Sequence, residues 1–402
     1  MQAVVCEASY FVRERRPLVL QLRGITWRHT RGYLPMVATA QRFAELHPDV
    51  SIHWEVRSLQ HFADFPIQEL AKTFDLLVID HPFSGYAAKH DVLLPLDQYI
   101  SASFLLDQAN RSVGRSHDSY NYGGHQWALA IDAAAPISGW RPDLLERAHA
   151  VIPRTWAELL DLAKTGLVAI PGIPIDSLMH FYMLCGALGE DPFIKRGIVV
   201  ATEVGVRALG MLRQLLSLCD PVCLFSNPIA VWESLSSGNT TAYCPFAYGY
   251  SNYSRPGYAK HTLDTGGLVA MDNRIVCRST LGGAGLAISS RCQEKDLAVL
   301  YAQFVAGGQC QSNLYFNSGG QPGYRMAWLD AEVNRQSNSF FRNTLKTLED
   351  AYLRPRFNEY HNFQEAAAAI VHKCLVEGGD ERSVLKELNQ LLHTIQKDGD
   401  EE

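Results

Sequence analysis

Long apolar runs are missing from this chain. The longest candidates, such as 76–79 and 286–288, have the length of a strand and fall far short of the ~20 residues a helix needs to cross a bilayer, so no membrane insertion is expected. A basic block is missing too: 36 Lys and Arg stand against 42 Asp and Glu in 402 residues, a net charge of −6. That balance provides no electrostatic surface for a nucleic acid, and none is expected as a partner. Nine cysteines, an odd number without paired short spacings, do not make a disulfide framework and fit a reducing compartment. Cys219 and Cys223 form a C-x3-C with no second ligand pair nearby, so no metal site is expected. HExxH, GxxxxGK[ST], GxSxG and a strand-to-helix GxGxxG are all absent, so no catalytic residue is assigned and no cofactor is implied. Residues 1–16 lack the apolar core of an export signal: the stretch 3–6 is too short, and Arg13, Glu14, Arg15 and Arg16 come after it.

What the chain has in quantity is apolar surface to bury, 47% of its residues, enough core for two or three domains or for two lobes sharing one chain. The apolar spacing predicts a strand over 18–22, a loop over 23–29, a helix over 32–46 closed by Pro48, and a half-buried strand over 51–56. A short helix over 67–74 and a strand over 75–80 follow. Strand, helix, strand, helix, strand is the α/β signature. Further on, strands are expected at 127–131, 168–170, 240–245, 267–269 and 284–288. Helices are expected at 142–147, 153–164, 177–187, 204–217, 294–305, 343–348, 363–376 and 382–395, the second of them with Thr155 and Glu158 at capping-box spacing. Residues 398–402 read as a disordered acidic tail.

Four segments occur in a telling order. LVLQLRGITW with VATAQRFAELHPDVSIHWE gives strand, helix, Pro and strand, and DLLVIDHPFSGYAAKHDVLLPLDQYI gives a strand and a Pro-Leu-Asp helix start. GGHQWALAIDAAAPISGWRPDLLERAHAVIPRTWAELLDLA comes next, and LGGAGLAISS leads to AVLYAQFVAGGQCQSNLYFNSGGQPGYRMAWLD and LRPRFNEYHNF. In this order the sequence, from about residue 18 to 395, resembles the extracellular solute-binding proteins of bacterial ABC importers, in the sugar-binding group that includes maltose-binding protein. It departs from their pattern at Ala130–Ile131–Asp132, where the family has Pro, and at Arg141–Pro142, where the family has Asn. The resemblance implies a two-lobed periplasmic-binding-protein fold, α/β, with hinge strands and an interlobe cleft. Its division would be an N-terminal extension at 1–17, lobe 1 over 18–130 and 281–325, lobe 2 over 131–280 and 326–397, and the tail at 398–402.

Binding groups in open α/β sheets cluster beyond the carboxyl ends of strands, so loops that follow strands are the candidate ligand contacts. Trp27 either stacks on a flat ligand face, with Arg23 or His29 donating beside it, or packs its loop onto the next helix. Asp80 and His81 follow the 75–80 strand, where a carboxylate can accept two hydroxyls or cap the next helix. Asp132 lies where the chain should cross between lobes. Phe246 and Tyr248, in the aromatic segment 244–254, would turn ring faces to the ligand or plug the core. Gly282 and Gly283 would let backbone NH groups approach a ligand or permit a bend. Tyr360 and His361 are candidates for the cleft's edge.

The function implied by the resemblance is capture of a small polar, carbohydrate-like ligand by a monomer that delivers it to an ABC permease if exported. The alternative is a cytoplasmic enzyme or sensor on the same fold, acting on a small metabolite with Asp80, His81 and Asp132 as acid and base groups and Cys244 as a conceivable nucleophile. The resemblance implies an extracellular or periplasmic location, and the 1–16 segment and the cysteines imply a cytoplasmic one; the sequence leaves both open.

Overall fold

The computed structural model describes residues 19–271 and 275–400, the side chains of 63, 64 and 397–400 excepted. The expected extension at 1–17 and the last residues of the expected acidic tail, 401 and 402, lie outside the described residues.

The first sheet is built from β1 (Leu20–Trp27), β2 (Val50–Arg57) and β3 (Leu76–Ile79), with α1 (Thr30–Leu46) between β1 and β2. β1 pairs in parallel with both β2 and β3. Every residue of β3 is buried, which explains its unbroken apolar run: it is a central strand covered on both faces. The next strand of this sheet, β4 (Leu129–Ala134), leads at once into β5 (Pro136–Trp140) of a second, three-stranded antiparallel sheet. Helices α2 (Trp156–Ala163), α3 (Pro174–Ala187) and α4 (Thr202–Ser217) follow, then β6 (Tyr243–Tyr248) and β7 (Asp264–Gly266), which flank β5. β8 (Gly282–Ile288) returns to the first sheet between β3 and β4, antiparallel to both. The chain closes with α5 (Lys295–Ala306), α6 (Phe340–Glu349), α7 (Tyr360–Glu377) and α8 (Glu381–Asp400).

Two cores sandwich the first sheet. Leu76, Val78, Leu129 and Ile131 face α1 and α5, while Leu77, Ile79, Ala130 and Ala287 face Phe83, Tyr120 and Trp127. Another core joins α2, α3 and α4 to α7 and α8, so these two C-terminal helices pack mainly with the middle of the chain. The chain passes between sheets at Ala134–Pro136, later than the expected 130/131 boundary, because β4 pairs with β8 as far as Ala134.

Several element boundaries differ from the sequence reading. β1 does not stop at 22: Arg23, taken as loop, is an outward position of the strand, where its Nη2 donates to Glu55 at 2.7 Å. β4 and β6 run further toward their carboxyl ends than 127–131 and 240–245. The stretch 168–170 forms only an isolated bridge from Val168 to Tyr243, and the strand expected at 267–269 lies at Asp264–Gly266. α8 continues to Asp400, into the segment expected as a disordered tail. The Thr155 and Glu158 capping box is present at the start of α2.

Among the described residues, no helix is long and apolar enough to cross a membrane. The eight described cysteines are free and buried.

Candidate ligand-binding cleft

β1, β3 and β4 run in the same direction, so their carboxyl ends share one edge of the first sheet. Trp27 ends β1, Asp80 follows β3, and Asp132 sits near the end of β4. The antiparallel β8 brings Gly282 and Gly283 to the same edge from its amino end. From the second sheet, Tyr248 ends β6 and Tyr250 follows it. All of these line one cavity of about 140 Å³, together with Arg31, Arg354, Asp176 and the apolar side chains Leu59, Phe62, Ile173 and Ile175.

Each strand-end carboxylate is held by an arginine. Arg31, in the first turn of α1, grips both oxygens of Asp132: Nε donates to Oδ2 at 2.8 Å and Nη2 to Oδ1. Its Nη1 donates to the Gly249 carbonyl at 2.7 Å, and its guanidinium lies 4.7 Å from the Tyr250 ring centroid. Burial disfavours the Arg31 cation, but Asp132 outweighs it and the guanidinium stays firmly charged. Asp80 receives Arg354 Nη2 on both oxygens, at 2.9 and 2.7 Å. Burial alone would raise the Asp80 carboxyl; Arg354 first and His81 second hold it well below the usual range.

Asp176 is different. It lies in the first turn of α3, 3% exposed, and its Oδ2 has no hydrogen-bond partner. Burial alone pushes its carboxyl up to about 8.

Gly282 and Gly283 shape the wall. A Cβ at Gly282 would stand 2.4 Å from the Tyr248 ring, so the bare backbone is what lets that ring lie against β8. Gly283 has φ +106°, a conformation other residues avoid, and its hypothetical Cβ would meet the Asp132 carbonyl at 2.4 Å.

Of the residues singled out from sequence, the structure thus brings Trp27, Asp80, Asp132, Tyr248, Gly282 and Gly283 into one cavity. Three do not line it. His29 is the N-cap of α1: its Nδ1 accepts from Arg31 N at 3.0 Å, and its ring packs edge-on against Tyr250 outside the cavity lining. His81 enters a short helical turn behind Asp80, and its fully buried ring is held neutral, pushed down to about 4 by burial and by Arg354. Phe246 is on the same face of β6 as Tyr248 but two residues deeper, under α2 and α3, with its ring parallel to Trp156 and 5.2 Å from His180.

The other candidates also lie elsewhere. Tyr360 is buried within α7, and the His361 ring packs 4.5 Å from Phe83. Cys244 is fully buried and burial pushes its thiol far up, which suits a core side chain and not a nucleophile. Among the described residues no group of three or more His, Cys, Asp or Glu is placed to hold a metal ion.

The sequence reading missed Arg31, Arg354 and Asp176. Arg31 carried a signal, since a cation in the first turn of a helix opposes the dipole unless it serves another partner. So did Asp176, the one carboxylate in the apolar segment Pro174–Ala187.

No family model matches the sequence. Solved structures do match the fold. Maltose-bound MalE3 of T. maritima superposes with a TM-score of 0.79 at 18% identity, covering 93% of this chain and 99% of its own. An ABC transporter solute-binding protein from Agrobacterium radiobacter K84 in complex with ribitol gives 0.78 at 19% identity, with 93% and 98% covered. One from Thermotoga lettingae TMO bound with α-D-tagatose gives 0.80 at 16%, with 94% and 99% covered. The chain has the fold of the ABC-transporter solute-binding proteins. The expected two-lobed α/β architecture is therefore the observed one, with the cavity lined from both sheets.

Proposed function

We propose that this protein is a solute-binding protein that captures a small polyhydroxylated ligand, a sugar or sugar alcohol, in the cavity between its lobes and presents it to an ABC permease. The observation that carries this reading is the wall itself. Trp27, Phe62, Tyr248 and Tyr250 supply aromatic faces for the CH surfaces of a sugar ring, and the Asp176 carboxyl stands among them with its buried Oδ2 unpartnered. The ligands named for the proteins of the same fold, maltose, ribitol and tagatose, are of this class.

The same reading assigns β1 to β4, β8 and α5 to one lobe, and β5 to β7 with α2 to α4 and α6 to α8 to the other, the chain crossing at Ala134–Pro136 and returning near Leu281. The working form is a monomer. Acid–base catalysis by Asp80, His81 and Asp132 is disfavoured by their surroundings: both carboxylates are occupied by guanidinium groups, and the imidazole is buried and neutral. Titration calorimetry with maltose, ribitol, mannitol and tagatose tests the reading. Saturable binding of at least one, lost or weakened in Trp27→Leu, is the expected result; absence of binding by sugars and polyols alike overturns it.

A further inference from the structure

Three carboxylates reach the cavity, and only two have a counter-charge. Asp132 lies against Arg31 and Asp80 against Arg354, each through paired hydrogen bonds. Asp176 has neither a cation nor a hydrogen bond to Oδ2, although at 3% exposure it is nearly as buried as Asp132 and more buried than Asp80. The titratable groups that face it carry no positive charge at neutral pH. From β6 and the loop beyond come the phenols Tyr248 and Tyr250, both pushed up to about 12 by burial, and the thiol of Cys244, which burial pushes well above its usual value. One helical turn along α3 stands His180, which burial holds neutral by pushing it down to about 3. Arg31 and Arg354 line the same cavity, but Arg31 is committed to Asp132 and the Gly249 carbonyl, and Arg354 gives Nη2 to Asp80 and Nη1 to Gln364; its Nε has no partner among the described residues, and it too makes no bond to Asp176.

A buried carboxylate without a partner is unfavourable, and it is relieved either by taking up a proton or by meeting a cation. Its place in the first turn of a helix of 14 residues favours the charged form once a counter-ion arrives. We propose that the counter-ion is brought by the ligand: the site takes an amino sugar or an amino-bearing polyol, whose ammonium group pairs with Asp176 while its carbon skeleton lies against Trp27 and Tyr248. This inference rests on the polyol-binding reading of the cavity and narrows it. In the empty protein Asp176 holds a proton near neutral pH; pairing with the ammonium ionises it, and the proton leaves to solvent.

The test compares matched ligands on the full chain by titration calorimetry: glucitol against 1-amino-1-deoxyglucitol, and glucose against glucosamine, in the wild type and in Asp176→Asn. The wild type should bind the amino member of a pair about tenfold or more tightly, the worth of one charge-assisted hydrogen bond. At pH 6 to 7 the amino ligand should release a proton, seen as a binding heat that changes with the ionisation enthalpy of the buffer. Asp176→Asn should bind both members of a pair alike, with no proton release; Asp176→Ser serves if the Asn variant does not fold. Neutral members that bind as tightly as amino ones in the wild type, or a preference that survives in the variants, overturn the inference and leave the polyol reading standing. Binding by no member of the panel overturns both.

Discussion

Arg354 holds Asp80 from a single nitrogen, Nη2, which donates to both carboxylate oxygens at 2.9 and 2.7 Å while Nη1 reaches Gln364 at 2.8 Å. The two residues are 274 positions apart in the chain, one just past β3 and the other shortly before α7. The pair therefore ties the first sheet to the C-terminal helices at the wall of the cavity.

Both side chains are largely buried, at 3% and 14% exposure, so removing one strands the other. Arg354→Leu should cost about 3 to 5 kcal/mol in urea unfolding, and the double variant Asp80→Asn with Arg354→Leu should recover part of that. A single variant that unfolds like the wild type would contradict the pairing.

Asp80 also sets an acid limit. Its folded carboxyl lies below the usual range and its unfolded one within it, so the unfolded chain binds the extra proton. The stability it contributes is present above about pH 4, the ordinary carboxyl value, and is lost as pH falls through its depressed folded value. The acid limb of a stability profile should flatten in Asp80→Asn.

Asp176 has the opposite sign. Its folded carboxyl sits at about 8, above an unfolded value near 4, so the native state binds the extra proton in between and stability falls as pH rises from about 4 to 8. Asp176→Asn should remove that slope and stabilise the empty protein at pH 8 by about 1 to 3 kcal/mol. Equal slopes in the two proteins would show that the carboxyl is solvated or paired.

Gly282→Ala should weaken ligand binding more than it weakens the fold. The added methyl meets the Tyr248 ring at 2.4 Å, and that ring lines the cavity, so displacing it alters the wall. Gly283→Ala should instead destabilise the protein by about 1 to 3 kcal/mol, because φ +106° is strained for alanine and the nearest atom is backbone. Melting temperatures and ligand titrations on the two variants distinguish the effects.

Much of the fold was legible because β3, β8 and α1 carry apolar patterns that local rules read directly. The strand-end rule likewise located Trp27, Asp80 and Asp132, since it depends only on where strands stop. Where a side chain turns after the strand ends is decided by neighbours far off in sequence. His29 was taken by the N-cap of α1, Phe246 by a core completed by α2 and α3, and His81 by a turn that buries its ring. The guanidinium partners were illegible for the same reason, 101 residues from Arg31 to Asp132 and 274 from Asp80 to Arg354. Asp176 is the one carboxylate in an apolar segment, just ahead of the helix expected at 177–187, but only the assembled walls show that its Oδ2 lacks a partner.

The most direct test of the central claim is a thermal-shift screen of the full chain against sugars, sugar alcohols and their amino derivatives, with mass spectrometry on each mixture. A ligand that binds only the native state raises the melting temperature by mass action, and a receptor returns it unchanged. At least one polyhydroxylated compound should raise the melting temperature and be recovered intact. A panel that leaves the melting temperature where it was, or a compound that is consumed, would contradict it.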